Sequence, residues 1–196
     1  MMRAPWEQPS TGPAAEFAAK LQALLPVIET ARLTLRAPRI EDFDAYAAIL
    51  MSERAVHMGG PFDRREAWLD FTQVIATWHL RGHGLWTVTD KAKGAILGFV
   101  LIGMEQGDQE PELGYFFLEE AEGKGYAAEA AGAARDHART LELPALVSYI
   151  DPPNTRSRTL AERVGASRDA AAEGALDAEV LVLRHWGPDV DEEGDT

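Results

Sequence analysis

The chain has 196 residues, of which 46% are hydrophobic and 26% charged; this is ordinary globular composition for one domain and excludes global disorder. It contains no cysteine, which excludes disulfides, zinc–thiolate sites and a thiol nucleophile. A net charge of −13 disfavours nonspecific nucleic-acid binding, which needs clustered Lys and Arg, yet leaves room for a local basic pocket.

Residues 1–13 hold Pro5, Pro9 and Pro13 and no apolar run of the signal-peptide kind, so they read as a flexible arm. No stretch approaches the roughly 18 apolar residues of a spanning helix. No membrane contact is expected, and the expected compartment is cytoplasmic. Residues 14–25 put Phe17, Leu21, Leu24 and Leu25 on one helical face. That face reads either as a cap on the domain or as an arm for self-association or substrate covering, so a monomer or a homodimer is expected. Pro26 ends this extension, residues 1–26.

From residue 27 to 186 the pattern is α/β in one domain. Ala31–Arg36 alternates Leu33 and Leu35 with polar neighbours, as a half-buried strand does. Glu41 and Asp42 open a helix to about Met51, acids in the first turn favouring the helix dipole. His57–Pro61, with two glycines and a proline, cannot be regular. A helix over Arg64–Leu80 follows, rich in Trp68, Phe71, Ile75 and Trp78. Strands are expected at Leu85–Asp90, Ala95–Met104, Glu112–Leu118, Ala145–Ile150 and Glu179–Trp186, with helices at Gly125–Leu141 and Thr155–Val164 between the later ones. The last eight residues hold five acids, and 187–196 read as a solvated tail.

The stretch richest in chemistry is Glu119–Ala131, EEAEGKGYAAEAA. A strand ends at Leu118, a turn holds Gly123 and Gly125, and an alanine-rich helix begins. Glycines allow a tight turn and close approach to a ligand. The first N–H groups of a helix lack intrahelical partners, and the dipole adds positive potential. Together they make an anion site suited to a phosphate or pyrophosphate; a plain tight turn is the simpler reading. It is not a P-loop, because Lys124 is followed by Gly125 and Tyr126 rather than Ser or Thr. Nor is it a good dinucleotide fingerprint: position 128 is Ala, and several antiparallel-type strands precede it.

At this point the chain resembles the GCN5-related N-acetyltransferase (GNAT) family, and within it the branch of ribosomal-protein alanine and serine N-acetyltransferases. The resemblance spans about residues 30–186. It rests on Arg32-Leu33-Thr34-Leu35-Arg36, on Glu112-Leu113-Gly114-Tyr115, on Gly123 through Ala130, and on Asn154-x-x-Ser157 followed by Ala161-Glu162-Arg163-Val164-Gly165-Ala166. It implies a mixed, mostly antiparallel sheet of six or seven strands flanked by helices and splayed between the fourth and fifth, Glu112–Leu118 and Ala145–Ile150. It also implies acetyl-coenzyme A as donor and a primary amine as acceptor, a protein N-terminal amine being the default of that branch and small-molecule amines occurring too.

The family's pyrophosphate loop, [Q/R]-x-x-G-x-[G/A], falls on Glu122–Ala127. Glu122 departs from it, and an acid there should weaken binding of an anion, with Lys124 able to offset it. By the resemblance, Gly123, Lys124, Gly125, Tyr126, Ala127 and Ala128 hold the pyrophosphate. Backbone groups of Phe116, Phe117 and Leu118 pair with the pantetheine arm, as in strand addition; the aromatic pair reads equally as core. Asn154 bonds the cofactor, or simply caps the next helix behind Pro152 and Pro153. The tyrosine acid of many family members falls on Ala161 here. Ser157 is therefore the candidate to meet the leaving sulfur and Glu112 the candidate base, acting through water, because only a free amine attacks.

His57 and Met58, on the loop between the first two helices of the domain, and Trp78 are candidates for substrate contact. The five histidines do not suggest a metal: His79 and His83 are four apart, but glycines flank His83, and no H-E-x-x-H occurs. The competing reading is a non-catalytic acyl-coenzyme A sensor or interaction domain, which Glu122 and the missing tyrosine favour and Ser157 and Glu112 oppose.

Overall fold

A computed structural model describes residues 3–176 and 179–187. The expected tail lies almost wholly outside the described residues. Eight strands form one sheet: β1 Ile28–Glu29, β2 Leu33–Arg36, β3 Leu85–Asp90, β4 Ile96–Gly103, β5 Glu112–Phe117, β6 Leu146–Ile150, β7 Ser167–Arg168 and β8 Leu181–Trp186. Their spatial order is β1-β2-β3-β4-β5-β6-β8-β7. Two more strands exist than the six longest stretches suggest, because β1 and β7 have two residues each and are too short to show alternation.

Six of the seven pairings are antiparallel. The exception is β5 with β6, which run parallel and meet at one register pair, Glu112 with Val147. The Val147 N–H donates to the Pro111 carbonyl at 3.0 Å, and beyond that point the strands separate. The sheet therefore opens into a wedge toward the C-terminal ends of β5 and β6, as expected for the splay.

Helices cover both faces. α2 (Phe43–Leu50) and α3 (Arg64–Arg81) pack on one, against Leu85, Phe99 and Leu101. α4 (Tyr126–Thr140) packs on the other, against Leu33, Leu35, Trp86, Val88, Val100 and Ile102. The period of two along β4 divides its side chains, Phe99 and Leu101 to one core and Val100 and Ile102 to the other. A strand buried on both faces loses its polar alternation, which is why β4 reads as a continuous apolar run. Ala130, Ala131, Ala134 and Ala138 are fully buried on α4 and let it lie close to the sheet. α5 (Thr155–Arg163) follows β6, and a single turn, α6 (Ala170–Glu173), precedes β8.

The N-terminal segment departs from two of its expected readings, the flexible arm and the helical cap. The arm is anchored: Pro5–Glu7 forms a 3₁₀ turn, and buried Glu7 accepts hydrogen bonds from Arg64 Nε and Nη2 at 2.7 and 2.9 Å. α1 (Gly12–Leu24) turns its apolar face outward, with Phe17 64%, Leu21 50% and Leu24 80% exposed. Only Leu25, past its end, packs on the core, so α1 is not a lid on the sheet. No helix among the described residues is long and apolar enough to cross a membrane.

Candidate active site

The wedge sets the site. Its mouth is the loop between β5 and α4. Gly123 and Gly125 have φ of 69° and 77°, left-handed values that side chains other than glycine adopt at a cost. Gly125 is the N-cap of α4, so the N–H groups of Tyr126, Ala127 and Ala128 begin the helix without intrahelical partners. A cavity of about 520 Å³ lies over this end, lined by Phe116 and Phe117 of β5, by Gly123, Gly125, Tyr126, Ala127 and Ala128, and by Asn154 and Ser157.

The fold thus gathers nearly all of the expected donor-site residues into one groove. Two lie outside it. The Leu118 N–H donates to the Leu97 carbonyl at 2.9 Å and is spent on the sheet, so it is not free for a pantetheine amide. Lys124 Nζ donates to the Glu120 carbonyl at 2.5 Å, and its side chain does not line this cavity. The compensation for Glu122 comes from elsewhere in the sequence. Its carboxylate pairs with Arg54, from the 3₁₀ helix Glu53–Met58, and with Arg156 of α5, the latter at 2.6 Å. These bonds, Arg156's first, hold its pKa below the ordinary value.

A larger cavity, about 790 Å³, lies beyond the wedge. Six residues line both cavities: His57, Met58, Tyr115, Phe116, Asn154 and Ser157. His57 Nδ1 lies 2.6 Å from Asp151 Oδ2, a bond that fixes its ring at the junction. Tyr115 donates from its hydroxyl to the Ser157 carbonyl at 2.8 Å, tying β5 to α5 across the opening. Asn154 accepts from the Ser157 N–H at 3.1 Å, so in this chain its side chain caps α5.

Asp70, Glu105, Asp108, Glu112 and Asp151 line the larger cavity, and among the described residues no Lys or Arg does. Glu112 begins β5, where the two central strands part, and its Oε1 accepts from the Tyr149 N–H at 3.3 Å. Burial, then the negative charges of Asp108 and Glu105, push its pKa up to about 8. Asp70 is also raised, by burial, although the Tyr46 hydroxyl donates to it at 2.5 Å.

Trp78 is a correction. It is 8% exposed, stacks edge-on against Trp86 at 4.6 Å and donates from Nε1 to the Leu85 carbonyl at 2.8 Å. It lies on the core side of α3 and lines neither cavity. His83 is likewise internal, with Nδ1 on the Ile102 carbonyl. Among the described residues no group of three His, Asp or Glu is placed to hold a metal.

Sequence reasoning missed Arg54, Arg156 and Asp151, which converge only through the fold. It also missed a brace behind the loop. Glu129 of α4 accepts from Arg32 Nε at 2.7 Å and from Thr30 Oγ1 at 2.6 Å, and Arg32 stacks over Tyr126 at 4.6 Å. The signal was present: Arg32 and Glu129 are both in the motifs that carry the resemblance.

Comparisons with known proteins identify the family and the fold. The GNAT acetyltransferase domain is matched over residues 32–167, more than half the chain. An acetyltransferase of solved structure from Agrobacterium tumefaciens str. C58 is 41% identical, with 83% of this chain and 95% of that one covered and a TM-score of 0.78. The uncharacterized protein YkkB of Bacillus subtilis (strain 168) is 30% identical over 145 residues, 69% of this chain and 82% of its own length. RimL, a ribosomal alpha-N-protein acetyltransferase solved in complex with coenzyme A, is 17% identical and shares the fold, with a TM-score of 0.62 over 81% of this chain and 95% of its own. The chain belongs to the GNAT acetyltransferase family.

Proposed function

We propose that this chain transfers the acetyl group of acetyl-coenzyme A to a cationic primary amine. The observation that carries the reading is two cavities meeting at one junction: a phosphate-type cradle with a strand-edged groove on one side, and an acid-lined pocket without Lys or Arg on the other. Bound acetyl-coenzyme A supplies the activated acetyl thioester. The left-handed glycines, the free N–H groups opening α4 and the unpaired edge of β5 are the chain's means of holding it.

The carboxylates of the larger cavity draw in the ammonium form of the acceptor and raise its local concentration. Glu112 takes its proton, directly or through water. With a pKa of about 8 it is matched to an amine far better than an ordinary carboxylate is, and approach of a cation lowers that pKa toward the working range. His57, oriented by Asp151, and Met58 line the path of the nucleophile. Ser157 donates a hydrogen bond to the departing sulfur. Much of the acceleration comes from holding two reactants at one junction.

Release of free thiol from acetyl-coenzyme A, followed over a panel of mono- and polyamines and peptides with free N-termini, tests the reading. Turnover with at least one amine is expected. Tight binding of the donor with no turnover over the whole panel would return the chain to the sensor reading.

A further inference from the structure

Glu122 places an acid beside an anion-binding cradle, and two guanidiniums meet it. Arg54 and Arg156 both bond its Oε1. Arg54 also donates from Nε to the Phe117 carbonyl at 3.1 Å, the last residue of β5 before the loop. Both arginines line the smaller cavity beside Gly123 and Gly125. Segments some 68 and 34 residues from Glu122 thus deliver two cations to a single anion at one end of the groove, leaving a local charge of +1.

A guanidinium carries five N–H donors in one plane, and one shared carboxylate oxygen leaves most of them unused. Among the described residues neither arginine pairs with another carboxylate. A phosphate bears more charge and more acceptor oxygens than a carboxylate, and planar forks suit it.

We propose that Arg54 and Arg156 are ligands for the phosphate groups of the donor, and that Glu122 is an internal anion that keeps both guanidiniums at the cradle until phosphate takes them over. This rests on the acetyl-coenzyme A reading above. The acid then is not an isolated defect in the loop. It spares two neighbouring cations from standing unpaired at an open site, and its effect on affinity is that of a competitor.

Calorimetric titration of the full chain with coenzyme A and with dephospho-coenzyme A, at low and high salt, tests this. Arg54→Ala should raise the Kd for coenzyme A at least about tenfold, as loss of a charge-assisted bond does. Arg156→Ala, at a side chain 72% exposed, should raise it about threefold. Glu122→Gln should lower the Kd about twofold to fivefold at low salt, and the gain should shrink at high salt. Losses that persist with dephospho-coenzyme A assign the arginines to the pyrophosphate; losses that vanish assign them to the 3′-phosphate. Wild-type affinity in both arginine variants overturns the phosphate role. A Glu122→Gln variant that binds no more tightly than wild type overturns the internal-anion role. Should Arg54→Ala not fold, Arg156→Ala and Glu122→Gln still decide the matter, since they lie at the surface of the groove. Failure of the wild-type chain to bind coenzyme A at all would instead sink the donor assignment beneath the proposal.

Discussion

Glu112→Gln separates what the half-buried carboxylate would do for catalysis from what it costs the fold. Its pKa is pushed from 4.5 up to about 8 by burial and by Asp108 and Glu105. An acid whose pKa rises on folding holds its proton more tightly in the folded chain. Below about pH 4.5 both states are protonated and nothing is lost. Between about 4.5 and 8 the unfolded chain releases the proton and the folded chain keeps it, so stability falls as pH rises through that window. Above about 8 the loss is complete. A shift of about 3.5 units sets a ceiling near 5 kcal/mol, at 1.36 kcal/mol per unit. Gln keeps the shape and the acceptor oxygen for the Tyr149 N–H but has no charge to bury. Thermal melts of both proteins at pH 5 and pH 9 read the difference. The variant should gain on wild type by at least about 1 kcal/mol more at pH 9 than at pH 5, roughly 2–4 °C in Tm for a chain of this size. Over the same range kcat/KM of the wild type should climb about tenfold per pH unit up to about 8, the limb of a titrating base, and Gln should lack that limb. The reasoning fails if the gap in Tm is the same at both pH values. The base role fails if the acidic limb survives in a folded Gln variant.

Gly125→Val puts a β-branched residue at a φ of 77°, so coenzyme A affinity should fall at least tenfold, about 1.4 kcal/mol, in calorimetric titration, with Tm reduced as well. Ser157→Ala should lower kcat about 10- to 100-fold with little change in donor binding, because its hydrogen bond strengthens only as charge develops on sulfur; steady-state kinetics beside a direct Kd for coenzyme A check this. Trp78→Phe removes the bond to the Leu85 carbonyl and part of the stack on Trp86, and should cost about 1–3 kcal/mol in denaturant melts with kcat/KM unchanged across amines. Arg64→Ala leaves buried Glu7 without its partner, and should release the N-terminal arm to proteolysis while activity persists.

The order of the long elements was legible because each carries its own period. Leu33 and Leu35 alternate, α3 repeats its aromatics at helical spacing, and the glycines of the β5–α4 loop stand where the backbone takes left-handed angles. β1 and β7 carry no such mark. Their pairing is decided by neighbours distant in sequence, β2 for one and β8 for the other. The outward face of α1 was illegible for a related reason. Periodicity tells that a helix has an apolar stripe, not whether the rest of the chain offers a surface to cover it.

The site divides along the same line. Local motifs located the residues that line the smaller cavity, because a glycine loop and a helix start are contiguous in sequence. The charges around the loop were misjudged, because side-chain partners are settled only by the fold. Lys124, within the loop, bonds the Glu120 carbonyl, while the cations that meet Glu122 lie at positions 54 and 156. Trp78, expected at the substrate, is turned to the core by its position on α3. Glu112 gains its character from the third dimension in the same way. Nothing in Glu-Leu-Gly-Tyr distinguishes a strand-edge carboxylate from a base. What distinguishes it is the place where β5 and β6 part, which half-buries the carboxyl, sets Asp108 and Glu105 near it and opens it to the larger cavity. The parting of the strands that opens the groove thus also sets the surroundings that raise the pKa of Glu112, and under the proposed reading a single backbone feature would couple binding of the donor to deprotonation of the amine.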